Sequence, residues 1–254
     1  VAQALSFRSV IAEQEQHVKN MQDGVAWVDV SESALANATE VLQRARELAI
    51  YGASDTLPQE SRNALAEEVD QLIDELVQIA NSTCGGRYVF GGTKTTDRPF
   101  VKDSEGGSVS YQGDEHYISY EVSPGVTVEV NIPGGQVFRV DGGTSQLFGT
   151  LIKLRDVLKT GSSQEIGSVL GDLSADIDHI LEQRAVFGAK SNRLRLAIDR
   201  TTQAKIEMTA LMSRVEDVDM AEVAMYFHIQ QAAYQAALMT GARILQPSLL
   251  DFLR

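Results

Sequence analysis

The side chains able to do chemistry are few and scattered. The histidines are His17, His116, His179 and His228, and no two stand at a His-x3-His spacing. His179 follows Asp176 and Asp178, which could suggest a metal site. A closed metal site needs more ligands than that, so a solvated acidic helix face is the expected reading. Cys84 is the single cysteine, which excludes an intramolecular disulfide. It lacks the neighbouring His or basic cluster that would make a thiol reactive. GGRYVFGGT at 85–93 carries two glycine pairs. It matches neither phosphate-cradling pattern, because no helix opens after it. Ser31, Ser33 and Ser104 lie in no nucleophile elbow. The expectation is no catalytic residue, no cofactor and no metal, and an enzyme is the least favoured class.

The chemistry that remains is that of an oily surface. Between Ala221 and Arg254 the chain is uninterrupted until Pro247 and carries little charge after Glu222. Val223, Phe227, Tyr234, Leu238, Ala242, Leu245 and Leu249 recur at steps of three and four, with Gln231 filling the one gap. That spacing lines one helix face. With Leu250, these residues form the candidate assembly interface. An unpartnered stripe of this kind must be covered by the same chain or by a neighbouring copy. Packing between molecules is the expected outcome, because no remaining segment supplies a cover.

Composition narrows the partners. Of 254 residues, 43% are hydrophobic and the net charge is −13. An acidic surface repels polyphosphates and anionic lipid, so neither nucleic acid nor membrane is an expected partner. No apolar run reaches transmembrane length, and the first residues form no signal peptide. Val1 stands inside a helical pattern, from which a preceding segment is inferred.

The elements that position the tail read as long helices around a β-rich insert. Residues 1–53 carry a seam at Ile11, Val18, Met21, Val25, Val28, Leu35, Ala38, Leu42, Ala45 and Ala49, with Gln14 and Glu32 as polar lapses. Glu40 and Arg44 are placed for an i,i+4 ion pair. A second helix, about 58–82, has its seam at Leu65, Val69, Leu72, Leu76 and Ile79. Residues 85–143 then hold 12 of the 20 glycines and three of the five prolines. Alternation in RYVF, VSYQ, YISYEV and VTVEVNI predicts strands and hairpins, with Val126, Val128, Val130 and Ile132 sharing a face. Helices resume near Ser145 and again over 163–216, the latter with Phe187, Leu194, Ile198, Met208, Leu211 and Val215 along its seam. Asp219 and Glu222 form a capping box opening the last helix. The expected fold is mainly α: an elongated antiparallel helical bundle, a coiled-coil rod built from both chain ends. The expected parts are a rod core of 1–86 and 144–218, an inserted β domain of 87–143 and an assembly helix of 219–254.

These stretches resemble the flagellin superfamily. LQRARELAIYGAS at 42–54 looks like its N-terminal helix signature, and SRVEDVDMAEVAMYF at 213–227 with ILQPSLLDFLR at 244–254 resembles its C-terminal helix. GRYVFGGTKTTDRPF at 86–100 is similar to the hook–filament junction branch, the hook-associated proteins 3, more than to filament flagellin. The resemblance implies a flagellin-like fold and a structural adaptor, a self-assembled ring between hook-associated protein 1 and the flagellin filament. It also implies export through the flagellar type III channel to an extracellular position, with a cytosolic export chaperone covering the C-terminal helix. Family members begin with a further helical segment of roughly fifty residues, sized by domain-length reasoning. Its absence here would remove the export signal and impair polymerisation. The alternatives are a filament subunit, and a surface-exposed binding module acting through the β insert.

Overall fold

A computed structural model describes residues 2–54, 56–103, 107–217 and 219–245. The chain runs α1 (Ala2–Gly52), α2 (Gln59–Ala80), β1 (Thr83–Cys84), β2 (Arg87–Tyr88), β3 (Phe100–Lys102), β4 (Val109–Tyr111), β5 (Ser119–Ser123) and β6 (Val126–Glu129). It continues with a one-turn α3 (Gly134–Val137), β7 (Val140–Asp141), β8 (Thr144–Ser145), α4 (Gln146–Thr160), α5 (Ser163–Glu216) and α6 (Met220–Leu245). The helices fall where the periodicity places them, because seam residues at steps of three and four share one face. Pro58 precedes α2, where its missing N–H is harmless, and Ser145 caps α4 by accepting from the Phe148 N–H. The chain divides into two compact units, one of residues 13–204 and one formed by the stretches before Glu13 and after Ala204. The bundle built from both chain ends is therefore present, with a small antiparallel insert.

The larger unit holds one continuous core. Met21, Val28, Leu35, Leu42 and Ala49 of α1 meet Val69, Ile73 and Leu76 of α2, Leu151 and Leu158 of α4, and Val169, Ile180, Phe187 and Leu194 of α5. Arg184 reaches Glu32 at 2.8 Å and Arg195 reaches Asp29 at 2.8 Å, so α5 is tied to α1. Exposed pairs of this sort contribute ~0–1 kcal/mol, so the core carries the stability. Arg44 does not pair with Glu40. It turns to Glu68 on α2 at 2.6 Å and to Glu47 at 3.0 Å. A carboxylate on the adjacent helix takes the guanidinium fork through two nitrogens, and Glu40 is left unused.

The insert shares that core. Its strands form three small antiparallel sheets, the largest in the order β3-β4-β8-β7. Phe100 and Phe138 pack with Phe148 of α4 and Phe90 packs on Phe138, with ring centroids 4.9 to 5.8 Å apart. Tyr111 joins them against Phe100, and its one hydroxyl proton is shared between the Phe90 and Asp114 carbonyls. Burial pushes the Tyr111 pKa well up, which keeps the phenol a donor. Val128, Val130 and Ile132 are buried, but Val126 stands exposed at the β5–β6 turn, where no helix covers it.

Polar clips hold the insert on three helices. Asn81, just past α2, exchanges two hydrogen bonds with the Phe100 backbone. Lys102 reaches Asp70 and Asp74 of α2, and Arg155 of α4 reaches the same Asp70 at 3.1 Å. Burial alone would raise the Asp70 pKa, but the two cations hold it below the ordinary value. On the far side His17 and Asn20 of α1 face the Glu121 carbonyl, and Lys190 of α5 donates to the Asn131 carbonyl. Gly24 lets the hairpin approach α1, because a Cβ there would meet Val130 at 2.9 Å.

A core shared in this way is expected to melt as one. Phe138→Ala is expected to cost about 3–5 kcal/mol, with near-ultraviolet and helical circular dichroism lost in one transition. Loss of the aromatic signal while the helices persist would show an independent insert. Asp114 gives a pH signature. Burial raises its pKa, yet the Thr93 hydroxyl and the Thr93 and His116 N–H groups outweigh that and hold it below its ordinary value. Its ionised form stabilises the fold above the unfolded value of ~3.9, and that contribution fades as pH falls through the lower folded value. Asp114→Asn is expected to lower the melting temperature at pH 7 and to flatten the acid limb of stability. An unchanged acid limb would contradict this.

Candidate assembly surface

Among its described residues the smaller unit has no buried apolar centre. Among the described residues, the first buried hydrophobic side chain is Met21 and the last is Leu194. Along α5 the seam fades after that: Ile198 is half-buried, Met208 is half-buried, and Leu211 and Val215 are exposed. Leu5 and Val10 of α1 are exposed as well. Arg8 pairs with Glu216, which joins the start of α1 to the end of α5.

α6 completes this unit. Asp219 opens it as the predicted N-cap, its carboxylate accepting from the Ala221 N–H, where a capping box would use the Glu222 N–H, and its carbonyl accepting from the Val223 N–H. Glu222 in the first turn and Arg243 in the last complement the helix dipole. From Met220 to Arg243 every side chain is exposed, and only Gly241 is half-buried. Val223 is 42% exposed, Phe227 65%, Tyr234 66% and Leu238 56%. Ala242 is exposed too, whereas the side chain of Leu245, and Leu249 and Leu250 altogether, lie outside the described residues.

The stripe read from spacing is only half of the surface. Met225, Ile229 and Met239 are also exposed. At ~100° per residue, from 3.6 residues per turn, they stand opposite Phe227 and Tyr234. Met220 joins the first face and Tyr226 lies between the two. A helix apolar all round belongs inside a larger assembly, not on the outside of a bundle. The sequence signal for this was the scarcity of charge between Glu222 and Arg243, which a single-stripe reading passes over.

The residues with chemical potential are otherwise engaged. His179 Nε2 lies 3.0 Å from the Gln136 carbonyl, and the buried Asp176 pairs with Arg139 at 3.0 Å. Asp178 points to water, so the three do not converge. No cluster of three metal-ligand side chains occurs among the described residues. Cys84 sits in the β1–β2 hairpin opposite Arg87, whose guanidinium stacks over the buried Trp27 ring at 5.2 Å. The Ser31 hydroxyl donates to the Trp27 carbonyl, Ser33 is exposed, and Ser104 lies outside the described residues.

Comparison with known proteins places the chain in a family. Residues 1–95 match the bacterial flagellin N-terminal helical region, and residues 170–253 match the bacterial flagellin C-terminal helical region. Together these take in more than two thirds of the chain. The flagellar hook-associated protein 3 of Salmonella typhimurium is 29% identical over 265 residues, spanning 94% of this chain and 81% of that protein. The flagellar filament 33 kDa core protein of Treponema phagedenis is 27% identical over 254 residues, spanning 97% and 82%. The crystal structure of flagellar hook-associated protein 3 from Legionella pneumophila superposes with a TM-score of 0.74 at 17% identity, over 84% of this chain and 99% of that one. It shares the fold.

An uncovered α6 is expected to bind a hydrophobic dye. The chain should enhance anilinonaphthalene sulfonate fluorescence in its folded state. A chain ending at Asp219 should lose most of that signal and keep the melting temperature of the core, since α6 buries nothing. Equal dye binding by both would place the apolar surface elsewhere.

Proposed function

The chain belongs to the flagellin family, and from that premise we propose that it is the adaptor joining the flagellar hook to the filament. Its role is structural and not catalytic. Copies of the chain form a short ring, with hook-associated protein 1 on one side and flagellin on the other. The observation that carries the reading is α6, apolar on two opposite faces that no described residue covers. Such a surface gains ~25 cal/mol per Å² of apolar area when neighbours enclose it. The assembly interface is Val223, Phe227, Tyr234 and Leu238 with Ala242, Leu245, Leu249 and Leu250, extended to Met225, Ile229 and Met239 on the opposite face. The same exposure supports a cytosolic chaperone that masks the helix before export through the flagellar type III channel, and a final position outside the cell.

A filament subunit is the second reading, favoured by the likeness to the Treponema filament core protein. Cells lacking the gene separate the two. Loss of the adaptor leaves hooks in place while flagellin is shed into the medium, whereas loss of a filament subunit removes that flagellin altogether.

Leu238→Asp tests the interface. A carboxylate forced into a buried helix face costs several kcal/mol, on the order of 3–5. The variant is expected to keep the circular dichroism and melting curve of the parent and to be absent from purified flagella. Incorporation at the parental level would show that this face is not an interface.

A further inference from the structure

We propose that neighbouring copies also dock through the larger unit, by a basic knob on α5 that seats in an acid-rimmed groove between α1 and α2. This rests on the assembly reading and assigns it a lateral contact. The groove has a volume of about 370 Å³ and a floor of Val41, Leu72 and Ile79. Glu40 on the α1 rim and Glu75 on the α2 rim are exposed, and neither has an ion-pair partner among the described residues. Arg44, the one cation of the lining, is already held by Glu47 and Glu68. The groove therefore offers two unused carboxylates about an apolar slot.

The same unit carries the complementary shape. Leu196 is 70% exposed, more than any other large hydrophobic residue of α5. Arg193 and Arg200 bracket it at i−3 and i+4 on the same helix face, both exposed and both without an ion-pair partner among the described residues. Arg195 is not part of this set, since it pairs with Asp29. Seven residues of helix set the two arginines ~10 Å apart, and packed helices place the groove's rims ~8–10 Å apart. The leucine fits the apolar floor while each arginine meets a carboxylate.

A chain cannot fill its own groove. Leu194 packs beside Gly24, so the knob sits level with that point of α1. From Gly24 to Glu40 the helix rises roughly 24 Å. The occupant is thus a second copy, displaced along the α1 axis by about that rise. Different surfaces meet in such a contact, which is heterologous and propagates into a ring or a helical array.

Single-cysteine chains test this in flagella assembled with them. In a Cys84→Ser background, one chain carries Asn37→Cys at the groove rim and another carries Asn192→Cys beside the knob. Mild oxidation of flagella containing both is expected to give cross-linked pairs, and flagella containing either alone are expected to give none. Adding Glu75→Arg should lower the yield about tenfold, as expected for losing and repelling a charge contact, and Arg200→Glu in the other chain should restore it. Flagella that contain both chains but give no mixed pairs, or only like pairs, overturn the groove contact and leave the α6 reading intact. Absence of both chains from flagella overturns the assembly reading and this contact with it.

Discussion

Apolar side chains leave water wherever a partner surface is available, and in this chain that availability changes abruptly along two helices. Between Met21 and Leu194 the apolar seams of α1, α2, α4 and α5 bury one another. Before Met21 and after Leu194 the helices continue with no change in regularity, yet no described hydrophobic side chain is buried. Secondary structure and burial have come apart. Isolated helices are marginal in water, because helical stability comes mostly from packing of an apolar face. The described ends of α1 and α5 and the described part of α6 therefore draw little stability from apolar burial, and anything that encloses them would add to it.

The insert follows from the same constraint. Its strands are two to five residues long, too short to support a domain. It is ordered because Phe100 and Phe138 lean on Phe148 of α4 with Phe90 packed behind Phe138, and because Asp70, Asn81, His17 and Lys190 fasten its backbone and side chains to the surrounding helices. The larger unit is thus a single packed body.

Much of this was legible in the sequence, and the limits were physical. Helix periodicity is local, so the extents of α1, α2, α4 and α5 and their seams could be read to within a few residues. The capping role of Asp219 was equally local. What escaped were interactions between distant segments. The pairing of β4 with β8, the gathering of four phenylalanines and the turn of Arg44 toward Glu68 depend on where other elements lie. Spacing alone cannot specify them. The candidate surface was read as one stripe through Phe227, Tyr234 and Leu238, because alternating steps of three and four favour one face. Met225, Ile229 and Met239 show that the opposite face is apolar too, which changes the number of neighbours the helix needs.

The central claim is that α6 acquires its cover only from other molecules. Hydrogen–deuterium exchange across Met220–Leu245, compared between the purified chain and intact flagella containing it, tests this most directly. The account expects exchange within seconds in the free chain and strong protection after assembly, while the amides around Leu35 and Leu76 are protected in both. Strong protection of α6 in the free chain, or fast exchange that persists in flagella, would contradict it.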